Sequence, residues 1–250
     1  MSQPPIALVT GGSRGIGAAT AKILADQGYK IVLSFASNQQ AAEVVVASIM
    51  EQGGQARAVQ ADVSSESEIL SLFGLVDQET GTLSALINNA GIVDQPTSVA
   101  DMSYERLERM MSTNIIGSFL CAREAINRMA VSKGGEGGTI VNLSSAAARL
   151  GSPHQYVDYA ASKAAIDTFT KGLALEVADD GIRVNAVSPG IIETDIHASG
   201  GLPDRARDMA SSVPMKRSGT AEEVARAIAF LVSAESSYTT GTVLDVTGGR

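Results

Sequence analysis

Seven short β-rich runs alternate with longer helical stretches along all 250 residues, and few architectures accept that pattern. The strand candidates are IALVT (6–10), KIVLSF (30–35), ARAVQA (56–61), LSALIN (83–88), TIVNLS (139–144), RVNAVS (183–188) and TVLDV (242–246). Helical patterns fill 15–27, 38–52, 65–79, 103–131, 155–179 and 221–234. Several strand runs are almost continuously apolar, as strands buried on both faces are. Alternation of the two element types implies right-handed crossovers. The expectation is a single-domain α/β protein over 1–250: one doubly wound parallel sheet of seven strands with helices on both faces. No charged or Pro/Ser-rich linker and no internal repeat divides the chain.

Composition narrows the partners. Hydrophobic residues make up 44% and charged residues 18%, which suits a packed core and argues against disorder. A net charge of −8 argues against nucleic acid or an anionic membrane as partner. It still allows a local phosphate pocket built from one or two basic groups and backbone donors. Cys121 sits alone in an apolar run and reads as a small buried hydrophobe rather than a nucleophile. One cysteine and two histidines also argue against a zinc site. The start of the chain lacks a basic segment followed by an apolar stretch, and no apolar run approaches spanning length. A cytoplasmic location is expected.

The segment LVTGGSRGIGAATAKIL places Gly11, Gly15 and Gly17 between the first strand and an amphipathic helix. Glycines there permit a tight turn, close approach of a pyrophosphate to backbone N–H groups, and close helix–strand packing. The helix N-terminus adds a positive dipole end for phosphates. KGGEGGT (133–139) is denser in glycine, but it joins a helix to a strand without phosphate-loop spacing and reads as a turn.

The spacing TGxxxGxG, in place of the commoner GxGxxG, resembles the short-chain dehydrogenase/reductase family. The likeness continues in order along the chain: NNAG at 88–91, TN at 113–114, SS at 144–145, YAASK at 159–163 and SPG at 188–190. YxxxK alone would be weak evidence; the ordered set is specific. The resemblance implies a Rossmann-type fold, a nicotinamide cofactor, and an oxidoreductase interconverting a carbonyl and a secondary alcohol. It implies Tyr159 as proton donor and acceptor, Lys163 as its electrostatic partner, Ser145 as the group that polarises the substrate oxygen, and Asn114 as the holder of a water on a proton relay. For the cofactor it implies Gly11, Ser13, Arg14, Gly15, Ile16 and Gly17 in the first turn, then Ser37 and Asn38, then Asp62 and Val63. Asn89, Ala90 and Gly91 follow, then Tyr159 and Lys163 themselves, and finally Pro189, Gly190, Ile192 and Thr194. An enoyl reductase of the same fold is one alternative, although the YxxxK spacing resembles the carbonyl reductases. A catalytically silent dinucleotide-binding regulator or scaffold is the other, and such a protein has no need of the phenol–ammonium pair.

Tyr159 and Lys163 stand at i and i+4, so they project from one helix face. A phenol with a pKa near ~10 is a poor base unless its anion is stabilised, and a nearby ammonium is expected to lower it. Ser144, adjacent to Ser145, is expected to be structural. Tyr156 lacks a lysine four residues on and is expected to line the cavity or pack. His154 and His197 are expected at the surface or the pocket wall. The segment 190–215 lacks periodicity and reads as a substrate lid. Specificity is expected from 92–98, 146–157 and 191–215, where no motif names the substrate.

Two further expectations concern cofactor choice and assembly. The place where an NAD-preferring domain carries a carboxylate is held by Phe35, followed by Ala36, Ser37 and Asn38. Arg14 can reach the same region, so NADP(H) is favoured and NAD(H) stays open. Helices 103–131 and 155–179 carry apolar residues beyond one stripe: Ile115, Ile116, Phe119 and Leu120, and Ile166, Phe169 and Leu173. The family resemblance implies that these helices pair across a two-fold axis, with GTVLDVTGG suited to a second contact. A homotetramer or homodimer is expected.

Overall fold

The computed structural model describes residues 4–194, 196 and 200–250, so His197 lies outside it. The strands are β1 (Ile6–Val9), β2 (Lys30–Phe35), β3 (Gln55–Gln60), β4 (Leu83–Asn88), β5 (Gly138–Leu143), β6 (Ile182–Pro189) and β7 (Val243–Val246). They form one seven-stranded sheet in the order β3-β2-β1-β4-β5-β6-β7, and every pairing is parallel. The order reverses at β1, which pairs with both β2 and β4. A crevice at the carboxyl ends of the strands follows from that reversal.

The apolar runs are continuous because successive residues feed two cores. Leu8, Val32, Leu86, Ile140 and Val184 pack with Ile69, Phe73, Cys121, Ala125 and Leu173 on one face. Val9, Ile31, Leu33, Ile87, Val141 and Val187 pack with Leu24, Ile49, Ile228 and Leu231 on the other. The first face is covered by α3 (Glu66–Val76), α5 (Gly117–Met129) and α7 (Val157–Glu176). The second is covered by α1 (Gly15–Asp26), α2 (Gln39–Glu51) and α9 (Ala221–Val232). Side chains of Asn38, Ser65 and Thr220 cap α2, α3 and α9, accepting from backbone N–H groups of their first turns.

The long helix expected over 103–131 is interrupted. Between α4 (Tyr104–Met111) and α5, residues Ser112–Ile116 form a π-helical turn. Such turns are often found at functional sites, and this one holds Asn114. Among the described residues the remaining α-helices are short: α6 (Ala147–Leu150) after β5, and α8 (Arg205–Met209) in the segment after β6. Among the described residues of 190–215, Ile191, Ala206 and Val213 form a small buried cluster of their own.

The assembly expectation needs one correction. Ile166 and Leu173 are 1% and 7% exposed and belong to the core, so they offer nothing to a partner. The helical period carries Ile166, Thr170, Leu173 and Ala174 along one buried stripe. The apolar residues left outside are Ile116, Phe119 and Leu175, exposed by 49%, 47% and 80%. Phe119 stacks on Phe169 with ring centroids 3.8 Å apart.

Candidate active site

A cleft of about 760 Å³ opens at the carboxyl ends of the strands. Its first wall is the turn between β1 and α1. Gly11 and Gly15 hold φ of +62° and +53°, which disfavour any residue with a Cβ. At Gly17 a Cβ would lie 2.5 Å from both the Gly11 carbonyl and Asn89 Nδ2, so the helix can approach this closely only without a side chain. Asn89 ties the turn to β4: its Nδ2 donates to the carbonyls of Thr10 (2.8 Å) and Gly11 (2.9 Å). Thr10 Oγ1 in return accepts from the N–H groups of Asn89 and Ala90, each at 3.0 Å. The result is a rigid backbone cradle at a helix N-terminus, matched to the pyrophosphate of a dinucleotide.

Gly11, Ser13, Arg14, Gly15 and Ile16 line this end of the cleft, with Ser37, Asn38, Asp62 and Val63 beside them. Phe35 is 6% exposed and closes β2 with no carboxylate at its end. Asn38 uses Oδ1 to cap α2 and keeps its amide N–H groups as donors. Asp62 Oδ1 accepts from the backbone N–H and the hydroxyl of Ser64, at 2.9 and 2.8 Å.

The other end is built by α7. Ser145, Tyr159 and Lys163 line the cleft together with Asn89, Ala90 and Gly91 and with Pro189, Gly190, Ile192 and Thr194. Their positions depend on α7 starting in one place. Asp158, buried one residue before Tyr159, accepts from Arg106 Nε at 2.7 Å and Nη2 at 3.2 Å, and Arg106 Nη1 also donates to the Gln95 carbonyl. That bidentate clamp pins the start of α7 to α4. Further along, Asn142 Nδ2 donates to Thr170 Oγ1 at 2.9 Å, and Asn88 Nδ2 donates to Asn142 Oδ1 at 3.0 Å. A buried, satisfied chain of this kind fixes the helix against the sheet.

The electrostatics of the pair differ from the expectation. Lys163 Nζ donates to the Leu143 carbonyl at 2.6 Å and lies 5.7 Å from the centre of the Tyr159 ring. Burial lowers its pKa to about 8, and Asp167, one turn on, opposes that fall. Burial raises Tyr159, and the group working against the rise is the Ser145 hydroxyl, not the ammonium. One of the Nζ–H groups is committed to the carbonyl at the end of β5. Ser145 Oγ also accepts from the Ala147 N–H at 3.1 Å. Ser144 is buried, lines the cleft and donates to the Lys163 carbonyl at 3.3 Å.

Asn114 does not line the cleft; it braces it from behind. Its Oδ1 accepts from the Ile92 N–H at 2.8 Å, while Nδ2 donates to the Ile92 carbonyl and to Ser162 Oγ. Tyr156 is buried and lines the cleft, and His154 is exposed with φ of +60°. Arg109 and Arg250 line the cleft without having been expected there. Arg109 sits on a helix with no motif, and Arg250 reaches the cleft through the tertiary path of the chain after β7, so neither left a signal in the sequence. Among the described residues no group of three or more His, Cys, Asp or Glu could hold a metal ion, and no described helix is long and apolar enough to cross a membrane.

Comparison with known proteins decides the family. A family model described as Enoyl-(Acyl carrier protein) reductase matches residues 11–250. The uncharacterized oxidoreductase YgfF of Escherichia coli (strain K12) is 54% identical over 245 residues, covering 98% of this chain and 99% of the relative. The chain belongs to the short-chain dehydrogenase/reductase family. A 3-oxoacyl-[acyl-carrier-protein] reductase of Synechocystis sp. (strain ATCC 27184 / PCC 6803 / Kazusa), 39% identical over 98% of this chain and 96% of its own, is another relative. A dehydrogenase/reductase from Sinorhizobium meliloti 1021 has a crystal structure that superimposes with a TM-score of 0.90 at 31% identity, covering 98% of this chain and 94% of that one. As a short-chain dehydrogenase/reductase the protein is an oxidoreductase acting on carbonyl and alcohol groups, in a family that uses NAD(P) and whose members are commonly oligomeric.

Proposed function

We propose that this short-chain dehydrogenase/reductase is an NADP(H)-preferring enzyme that interconverts a carbonyl and a secondary alcohol, with Tyr159 as general acid and base. The observation that carries the reading is that Ser145, Tyr159 and Lys163 share one cleft with the glycine turn. The cradle around Gly11, Gly15 and Gly17 fits a dinucleotide, since a Cβ at Gly17 would collide with backbone. A bound nicotinamide supplies hydride for reduction and accepts it in oxidation. The Tyr159 hydroxyl gives its proton to the substrate oxygen during reduction and takes it back during oxidation. Ser145 donates to the same oxygen and fixes the carbonyl. Lys163 would hold a ribose hydroxyl and, charged, favours the phenolate. Asn114 keeps Ile92 and Ser162 in place beside that lysine. Residues 190–215, which give Ile191, Ile192, Thr194, Ile196 and Arg205 to the wall, act as the substrate lid of a single catalytic unit.

Cofactor choice rests on the end of β2. Phe35 stands where an NAD-preferring domain carries a carboxylate, so the end of β2 itself does not repel a 2′-phosphate, and Arg14, Ser37 and Asn38 line the same end of the cleft. Wild type is expected to show a higher kcat/KM with NADP(H) than with NAD(H). Arg14→Ala narrows the ratio, and Phe35→Asp reverses it by placing a carboxylate against the phosphate. A wild-type preference for NAD(H), or an unchanged ratio in Phe35→Asp, contradicts the assignment.

For assembly, the exposed Ile116 at the end of the π-helical turn and Phe119 on α5, with Phe169 and Leu175 on α7, form the face across which two copies pair. A homotetramer is the expected state, with a dimer as its half. Light scattering at micromolar concentration should give a multiple of the monomer mass, and Phe119→Glu should lower it. A monomeric wild type contradicts the proposal.

A further inference from the structure

Five cationic side chains, Arg14, Arg109, Lys163, Arg205 and Arg250, line the cleft against one described carboxylate, Asp62. The chain as a whole carries a net charge of −8, so this concentration of positive charge is local. On the function proposed above, Arg14 and Lys163 serve the cofactor. Arg109 is already ion-paired with Asp94. Arg205 and Arg250 remain.

Both are partly buried, and neither forms an ion pair with a described carboxylate. The acids next to Arg205 in sequence do not serve it: Asp204 and Asp208 pair with Arg207. Instead Arg205 Nη1 donates to Gln155 Oε1 at 2.9 Å, and its guanidinium carbon stands 5.2 Å over the Tyr156 ring. Tyr156 immediately precedes α7, three residues before Tyr159, and Arg205, Tyr156 and the proposed proton donor line the same cleft. Arg250 leans on the same short helix, with Nη1 at 3.9 Å from Met209 Sδ. Two guanidinium forks that line one cleft beside the same short helix, held by neutral partners, match a ligand oxyanion that would supply the missing countercharge.

We infer that the substrate carries a carboxylate a few bonds from its reacting carbonyl, clamped by Arg205 with Arg250 beside it, so that the enzyme works on oxo acids and hydroxy acids. The carboxylate takes no part in the redox step; it sets the distance and direction at which the carbonyl meets Tyr159 and Ser145. A neutral sugar or a steroid offers no oxyanion for this pair of arginines, and a thioester offers one only through a phosphate on its carrier, far from the reacting carbonyl. The inference rests on the carbonyl–alcohol reading.

The test compares kcat/KM for acetoacetate and levulinate with that for their ethyl esters, in wild type, Arg205→Ala, Arg205→Lys and Arg250→Ala, with cofactor affinity measured by fluorescence titration. Wild type should prefer the acid form of at least one pair by ~10- to 100-fold, the range of a charged hydrogen-bonded contact. Arg205→Ala should collapse that ratio mainly through KM, Arg205→Lys should retain part of it, and cofactor affinity should hold, which also verifies folding. Esters used as well as the acids overturn the inference and leave the oxidoreductase reading standing. So does a loss of cofactor affinity in the arginine variants, which would assign them to the dinucleotide. A panel on which neutral ketones react and both acids are inert overturns it as well. If no carbonyl compound of any kind turns over while cofactor binds, the proposed function itself falls and the inference with it.

Discussion

Tyr159→Phe is expected to lower kcat by ~10²- to 10⁴-fold, the range that a positioned proton donor contributes, while leaving cofactor affinity near wild type. The hydroxyl is removed and the ring remains, so the wall of the cleft keeps its shape. Burial holds the phenol above its usual pKa, and the Ser145 hydroxyl draws it back. The phenol therefore keeps its proton at neutral pH, the form that the proposed reduction needs. Oxidation needs the phenolate and so needs Lys163 charged and the positive ring of the oxidised cofactor nearby. The variant should consequently lose both directions, and in wild type the rate of oxidation should rise with pH only toward about 8, where Lys163 begins to lose the charge that favours the phenolate. Near-normal turnover by Tyr159→Phe on a verified substrate would remove the residue from its assigned role.

Lys163→Met should separate stability from function. The ammonium is buried and its pKa falls to about 8 from the usual 10.5, so folding disfavours the charged form. The sign follows from proton counting. Below pH 8 the lysine is charged in folded and unfolded chains alike, and the full cost of burial applies. Between pH 8 and 10.5 the unfolded chain holds more of the proton, so this residue's contribution to stability improves as pH rises. The span corresponds to ~3 kcal/mol. The stability of wild type minus that of Lys163→Met should therefore increase from neutral pH toward pH 10.5, measured by urea unfolding across that range. The hydrogen bond to the Leu143 carbonyl offsets part of the gain at neutral pH, since methionine leaves that acceptor without its donor. Catalysis should fall in both rate and cofactor affinity. A difference that shrinks with rising pH would mean that Lys163 is stabilised as a cation by its surroundings.

The fold was legible because both of its periodicities are written plainly. Runs such as IALV and LSALIN feed apolar side chains to two cores at once, and helices of the expected length cover each face. Strand ends fell within about a residue of their expected places, several of them closed by glycine, serine or asparagine, as at Asn88–Asn89, Ser144 and Gly190. The site was legible wherever backbone geometry demands a residue type, as at Gly11, Gly15 and Gly17, or where two side chains need a fixed helical spacing, as at Tyr159 and Lys163. Less visible was anything set by tertiary packing alone. The π-helical turn around Asn114 looks like ordinary helix in sequence, and Ile166 and Leu173 look like surface until the helix is docked. The hydrogen bond from Lys163 Nζ to the Leu143 carbonyl depends on where β5 ends. Arg109 and Arg250 come to the cleft from unrelated stretches, and the Asp158–Arg106 clamp joins residues 52 positions apart.

The central claim is a hydride moved between nicotinamide and a carbonyl carbon, with the proton handled by Tyr159. The most direct measurement uses reduced NADP carrying deuterium at the transferring position, with the product read by NMR and mass spectrometry. The account predicts one deuterium on the carbon that bears the new hydroxyl, and loss of that product in Tyr159→Phe. Deuterium on a carbon two bonds from an intact carbonyl, as reduction of an enoyl group would leave it, or product formed without deuterium, would contradict it.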